Sequence, residues 1–587
     1  MKTINIIKTA CLGLVSVLAT SCLDLDPKDS LGDNNVWNKA ENFQLFANQF
    51  YGWTRDMQQG TDYQNGLSDG VHSDYRSDLC CTSSLNTYSQ GTNTIPATDG
   101  NYTTLYNRIY YTNLLLKNAE GFGDQNAIRQ PKGEALFFRA YLHFELVQIY
   151  GDAILLTEPI DMGSEKLIAP QDDRGVVIDQ CVKDLEDAAA LLPDTPAEAG
   201  RLCKAAAWAM LSRVALYEGT WQKFHTGNGN NTDRSTALLT RAKTAAQEVI
   251  EHSNNAYELF YSDALTNLEN RGNQSYRYMF ILEDGKQCNP AGLNKSANKE
   301  YILAHRHRDT DKLALNVTHA MAGNVCYVTR KMANMYLCAD GLPVEKSKVF
   351  QGYTTTTSEF SNRDARMDNT LLSDGEKFWD NDTKNGSRLT WDANDYNNCR
   401  TANTHQNSGY LTQKWATERV GEDYYESMDY PVIRYAEVLL NFAEAIYELN
   451  GQISDHDLDK SLNLVRLRVN PNMPKLSNAF ATANGLDMRE EIRRERTVEL
   501  FLEGFRIDDL KRWKTAETEM PQDLLGIQYT GTEYATKWPG QTRSLNSAGC
   551  IIMYGNRTWS EKNYIYPLPA DQLQLNPQLK QDPLWKN

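Results

Sequence analysis

No apolar run in this chain is long enough to cross a bilayer as a helix, which needs roughly 20 residues. The longest such stretch, 10–19, is about half that. Basic residues are in deficit, 60 Lys and Arg against 76 Asp and Glu, for a net charge of −16. That balance repels phosphate backbones and argues against nucleic acid as a partner. There is no GxSxG, no HExxH and no phosphate-binding glycine loop, so the common hydrolase and nucleotide signatures are missing. The 11 cysteines show neither CxxC nor Cys/His metal spacing, and the nine beyond Cys11 and Cys22 are an odd set that describes no disulfide framework. Cys181 and Cys203 fall in apolar stripes, as small buried hydrophobes do. No structural zinc, no other metal and no cofactor is expected.

What is present begins at the N-terminus. Lys2 and Lys8 precede a short apolar stretch, and Leu18-Ala19-Thr20-Ser21 runs up to Cys22. A basic start, a short apolar core and small residues at the cut make a secretory signal. The cysteine directly after them resembles a bacterial lipoprotein signal, cleaved before Cys22 and lipidated on its sulfur. Residues 1–21 are then the signal peptide and 22–36, acidic and rich in turn formers, a spacer between lipid and fold. The rest divides into an N-terminal region, 37–330, and a C-terminal region, 331–587.

Helical periodicity dominates several segments. Ile178, Val182, Leu185, Ala189 and Leu192 make an amphipathic stripe over 174–192, and Asp194 and Pro196 lie just beyond it. The stretch 202–217 is apolar and rich in small residues that let helices approach closely. The stretch 134–150 is apolar nearly all round, which predicts a buried helix ended by Gly151-Asp152. Further helices are predicted over 432–449, 458–469 and 488–505. Short turns between helices of this length suggest antiparallel, tetratricopeptide-like pairs, although no strict 34-residue repeat is legible. Long polar stretches separate the helical blocks at 58–102, 224–234, 283–324, 352–429 and 516–562. Their aromatic content argues against disorder, and a rigid scaffold bearing aromatic polar loops is the architecture of a binding protein.

Several segments together resemble the SusD/RagB family. They include Glu134-Ala-Leu-Phe-Phe-Arg-Ala-Tyr141, Ala205-Ala-Ala-Trp208, Asp340-Gly-Leu-Pro343 and Arg363-Asp-Ala-Arg366. The most specific are Pro431-Val-Ile-Arg-Tyr-Ala-Glu437, Glu490-Glu-Ile-Arg-Arg-Glu-Arg496, Glu499-Leu-Phe-Leu-Glu-Gly-Phe-Arg506 and Asp509-Leu-Lys-Arg-Trp513. The resemblance implies a mainly α, SusD-like fold, tetratricopeptide-like helical pairs in a superhelical scaffold with long ligand-binding loops. It also implies an outer-membrane lipoprotein facing the cell exterior, partnered with a SusC-like TonB-dependent transporter, that binds a glycan without catalysis. RagB-like relatives serve peptide uptake, which makes a peptide-binding component the alternative.

Glu495, Arg496, Glu499, Glu503 and Arg506 recur at three- and four-residue spacing, which predicts structural ion pairs along helix surfaces rather than acid/base chemistry. The stretch 381–392 only faintly echoes a calcium loop and is read as an ordinary loop. A sugar needs an exposed aromatic face with carboxylates, amides or Arg around it. That mixture occurs at Asp69, Asp74, Tyr75, Arg76 and Tyr88, and again at Tyr301, His305, Arg306 and His307. Trp379 and Trp391, in polar loops, are the candidate platforms, whereas Trp37, Trp208, Trp513 and Trp585 sit in helical or landmark contexts and are assigned to the core.

Overall fold

The computed structural model describes residues 37–586 apart from 58–70, 83, 85, 254–255, 269–270, 285–288, 309–316, 318–320, 322–325, 374–376, 379–388, 391–407, 418–425, 538 and 540–542. Cys22, Asp69, Trp379, Trp391 and most of the calcium-like stretch lie outside the described residues.

The described chain is mainly helical. After α1 (Ala40–Asn48) come α2 (Gly100–Glu120), α3 (Arg129–Tyr150), α4 (Arg174–Leu191), α5 (Lys204–Trp221) and α6 (Asp233–His252). Each of α2 to α6 packs on its successor, and α6 then packs on α7 (Tyr435–Asn450) of the C-terminal half. This is the array of helical pairs that the periodicity predicts. Local chemistry sets the ends. Asp173 caps α4 by accepting the Gly175 N–H, and Thr232 and Ser235 form a reciprocal capping box on α6. In α3 every side chain from Glu134 to Tyr150 is buried, as its all-round apolar pattern requires. One large core joins both halves, from Phe43 through Phe144 and Met210 to Phe442 and Leu579.

Three predicted helices are corrected. The segment from 432 opens as strand β2 (Tyr430–Arg434), paired antiparallel with β1 (Tyr301–His305), and becomes helical only at Tyr435. Its Pro-Val-Ile run suits a pleated strand better than a helix start. The segment 458–469 breaks at Ser461, whose backbone is non-helical, leaving α8 (Leu462–Leu467). The segment 488–505 is α9 (Met488–Glu499), then a tight reversal, then α10 (Arg506–Arg512). In the reversal Leu502 and Gly504 both have positive φ. Leu502 is held there on both sides, its N–H donating to Asp74 Oδ2 at 2.7 Å and its carbonyl accepting from Trp415 Nε1 at 3.1 Å. The polar stretch 516–562 contains a further antiparallel pair, β3 (Leu524–Gln528) and β4 (Cys550–Tyr554).

The charges expected on helix surfaces are buried and pair across the fold. Arg139 bridges α3 to Asp184 of α4, Arg174 of α4 reaches Glu218 of α5, and Arg213 of α5 makes a bidentate pair with Glu437 of α7. Glu499 meets Arg366, Arg434 and Arg468, while Glu503 meets Arg434 and Lys414. Arg496 pairs with Asp509 and Arg506 with Asp78. Glu495, Arg496 and Glu499 lie on α9, Glu503 in the reversal and Arg506 at the start of α10, each meeting a different neighbour. Their role is structural, as expected, but their setting is the interior.

Candidate functional site

The clearest polar cavity lies beside strand β1. Tyr-Ile-Leu-Ala-His is a good strand sequence, and it pairs with β2 with register irregularities between Tyr301 and Ala304. Such irregularities re-aim side chains. Ile302, Ala304 and Arg306 line a cavity of about 400 Å³, together with Tyr257, Tyr301, Lys295, Asp284 and Asp429. That volume lies within the roughly 300–1,000 Å³ of small-ligand sites.

Both tyrosines are half-buried and tethered through their hydroxyls. The Tyr301 hydroxyl donates to the Met279 carbonyl at 3.3 Å, and the Tyr257 hydroxyl lies 3.1 Å from Cys203 Sγ. Tethering fixes the ring planes, so the rings are ready to meet a flat apolar ligand face without first being ordered. Lys295 Nζ donates to the His307 carbonyl at 2.6 Å and to Asp429 Oδ1 at 2.7 Å, and lies 3.7 Å from Asp284. Asp429 also accepts the His307 N–H at 3.0 Å. Arg306 approaches Asp429 at 3.6 Å, and its side chain is 35% exposed. It crosses Gly200, whose φ is +87° and where a Cβ would stand 2.3 Å from Arg306 Cδ. Glycine there gives the guanidinium its path to the cavity. A second cavity, of about 430 Å³, is lined by Tyr102, Tyr106, Tyr110 and Leu575 and has Lys166 as its sole charged residue. Its aromatic faces stand beside the amides of Asn107, Gln572 and Asn576 and the Thr103 hydroxyl, without a carboxylate or a guanidinium.

On the far side of β1 the alternation sends His305 and His307 toward Asp56. Burial lowers the His305 pKa. At His307 burial also opposes the charge, but the hydrogen bond and charge of Asp56 outweigh it and raise the pKa. The Asp56 carboxyl, despite burial, is held below its ordinary value by the two imidazoles and the Met57 N–H.

The structure places the other described candidates in the interior. Asp74, Tyr75 and Arg76 form one buried turn. Asp74 accepts the N–H groups of Leu502 and Arg506, and burial pushes its pKa up to about 7. Tyr75 packs among Leu79, Cys80 and Phe280 in a second core. Tyr88 stacks on Tyr566 with centroids 4.7 Å apart, donates to the Asn563 carbonyl at 2.8 Å, and has Arg76 over its ring. Asp74 and Tyr88 bond to segments of the C-terminal half, Arg76 lies over Tyr88, and all four side chains are buried, so none presents a face to a ligand. Of the nine candidates, Tyr301 lines the cavity, whereas His305 lies on the opposite face of β1 beside Asp56. Tyr257, Asp284, Lys295 and Asp429 complete the lining from other segments, and no spacing in the sequence marked them.

Comparison with known proteins gives a consistent result. Residues 283–585 match the model of the SusD family, and residues 23–216 match a family described as starch-binding and associating with the outer membrane. The SusD-like protein P25 of Formosa agariphila is 29% identical over 124 residues, 20% of this chain and 23% of that protein, so the match spans about a quarter of the curated relative. A SusD-like protein of Bacteroides fragilis NCTC 9343 has a TM-score of 0.70 at 21% identity, covering 95% of this chain and 99% of the other. A SusD-like carbohydrate-binding protein of the same strain gives 0.68 at 22%, covering 93% and 100%. A laminarin-binding SusD-like protein gives 0.55 at 20%, covering 93% and 99%. At such identities the structural likeness is one of fold, and with the sequence model spanning more than half the chain, this protein belongs to the SusD family.

Proposed function

We propose that this protein binds oligosaccharides at the cell surface and delivers them to a SusC-like TonB-dependent transporter, without turning them over. The observation that carries the reading is the cavity beside β1, which is lined by the tethered rings of Tyr257 and Tyr301 and by Arg306. A pyranose offers an apolar C–H face to the rings and a hydroxyl rim to Arg306 and Asp284. Of the cavity's two acids, Asp429 is engaged by Lys295 and the His307 N–H, which suits a binding wall better than a general acid, and Asp284 remains half-exposed for ligand hydroxyls. The names of similar folds, carbohydrate-binding and laminarin-binding, point the same way. The anchor in this reading is lipid on Cys22.

Calorimetry with a panel of oligosaccharides tests the ligand class. Binding of at least one glycan, weakened about tenfold or more by Tyr301→Ala or Arg306→Ala, is expected. Peptide binding with no glycan binding would replace the reading by its alternative, and sugar turnover by pure protein would end the claim of binding without catalysis. Cys22→Ala should release the protein from membranes and abolish surface labelling of intact cells; unchanged retention refutes the anchor.

A further inference from the structure

We propose that Asp56, His305 and His307 form a binding site for a divalent transition ion of the zinc class. The first observation is convergence. One carboxylate oxygen and one ring nitrogen from each histidine lie within 4.8 Å of one another. They come from segments far apart in sequence, the corner after α1 and the end of β1.

The second observation is the state of each ring. His307 Nδ1 lies 2.8 Å from the Met428 carbonyl. A carbonyl only accepts, so Nδ1 carries a hydrogen, and Nε2, which faces Asp56, is the atom a metal ion would take in place of a proton. His305 Nδ1 lies 2.8 Å from Thr54 Oγ1, and that hydroxyl spends its own hydrogen on the Tyr51 carbonyl at 3.0 Å. Thr54 therefore accepts from Nδ1–H, and His305 Nε2 is likewise the atom left for the ion. Both Nε2 atoms point at Asp56. Fixing a ring through its other nitrogen is how proteins orient histidine ligands.

The third observation is distance. His307 Nε2 lies 3.3 Å from Asp56 Oδ1, and His305 Nε2 lies 3.6 Å from Asp56 Oδ2. A charge-assisted hydrogen bond between imidazolium and carboxylate is about 2.7–2.9 Å long. A tetrahedral ion with donors at about 2.0–2.1 Å sets them about 3.3 Å apart. The His307 separation equals that spacing, and the His305 separation, to the other carboxylate oxygen, is slightly longer; both exceed a charge-assisted hydrogen bond. Two imidazoles with one carboxylate favour zinc and its neighbours over calcium or magnesium. Three protein donors leave a fourth position for water or another oxygen ligand. Because alternation directs Arg306 to the opposite face of the strand, the ion would pin β1 from behind without occupying the cavity.

The test uses the full chain without an affinity tag, stripped with chelator and titrated with Zn²⁺ by calorimetry. One equivalent should bind, and His305→Gln and Asp56→Asn should each weaken it at least about tenfold. His252→Gln, at the exposed end of α6, should leave it unchanged. Loading with Co²⁺ gives an independent readout, an intense tetrahedral d–d absorption that the same two variants remove while the circular dichroism stays that of the parent. No saturable uptake by the folded protein, or uptake unaltered by both variants, overturns the site and leaves a His307–Asp56 ion pair.

Discussion

Arg434→Met removes the centre of the buried charge lattice. The guanidinium donates to Glu503 at 2.7 and 2.9 Å, to Glu300 and Glu499 at 2.7 Å each, and to the Glu499 carbonyl at 2.7 Å. Methionine fills much of the volume but restores none of these bonds. Glu499 keeps Arg366 and Arg468, Glu503 keeps Lys414, and Glu300 keeps Arg468 at 3.3 Å. The variant therefore does not strand a lone carboxylate; it leaves three acids with three cations in a dry interior, one of which, Arg366, also serves Asp364 and Glu495. Breaking a buried pair by removing one partner costs about 3–5 kcal/mol, a large part of a typical stability of about 5–15 kcal/mol. Urea unfolding followed by tryptophan fluorescence at pH 7 should show a loss of this size. The deficit should shrink at lower pH, because an under-compensated carboxyl takes up a proton, and adding Glu503→Gln should recover part of it. A loss below about 1 kcal/mol, the size of an exposed pair, would refute the reasoning.

Two further outcomes follow from single residues. Gly200→Ala should cost about 1–2 kcal/mol, since Ala is strained at positive φ. It should also lower glycan affinity toward the level of Arg306→Ala by pushing that side chain aside; unaltered affinity would remove Arg306 from the site. Asp74 has a folded pKa of about 7 against an ordinary 3.8, so between those values the folded state holds a proton that the unfolded chain releases. Its contribution is present below about pH 4 and is lost as pH rises through about 7, a swing of at most roughly 4 kcal/mol. The urea midpoint of the parent should therefore fall from pH 5 to pH 8 more steeply than that of Asp74→Asn, and parallel profiles would show that Asp74 titrates normally.

The helical half of the fold was legible because periodicity is a local property. The stripe over 174–192 and the all-round apolar run over 134–150 each report one helix and its burial without reference to anything distant. What failed was decided at a distance. The strand at Tyr430–Arg434 exists because Tyr301–His305 pairs with it. The reversal after Glu499 is held by Asp74 and Trp415, neither of which is near in sequence. For the same reason the stretch around Tyr75 misled. An Asp-Tyr-Arg turn flanked by polar residues has the composition of a sugar site, yet here its polar atoms cap and clamp α10 and the C-terminal segment. Composition gives the chemistry available in a segment, and only packing decides whether ligand or protein uses it.

The charge lattice and the candidate site meet at one residue. Glu300 immediately precedes Tyr301. Its carboxylate accepts from Arg434, Arg468 and the Phe260 N–H at 2.8 Å, and its carbonyl accepts the Tyr435 N–H at 2.9 Å. The strand carrying Tyr301 and Arg306 is thus fixed at its start by the charges that join α7, α8 and α9. At its other end Lys295 holds the His307 carbonyl. A wall clamped at both ends presents its aromatic and guanidinium groups in one geometry, and little ordering cost remains when a ligand arrives. Burying so many charges rarely favours stability by itself, and fixing this wall would serve the proposed binding role. Substitutions in the lattice should weaken ligand binding even where they touch nothing in the cavity, Arg468→Met among them, because they free the start of β1.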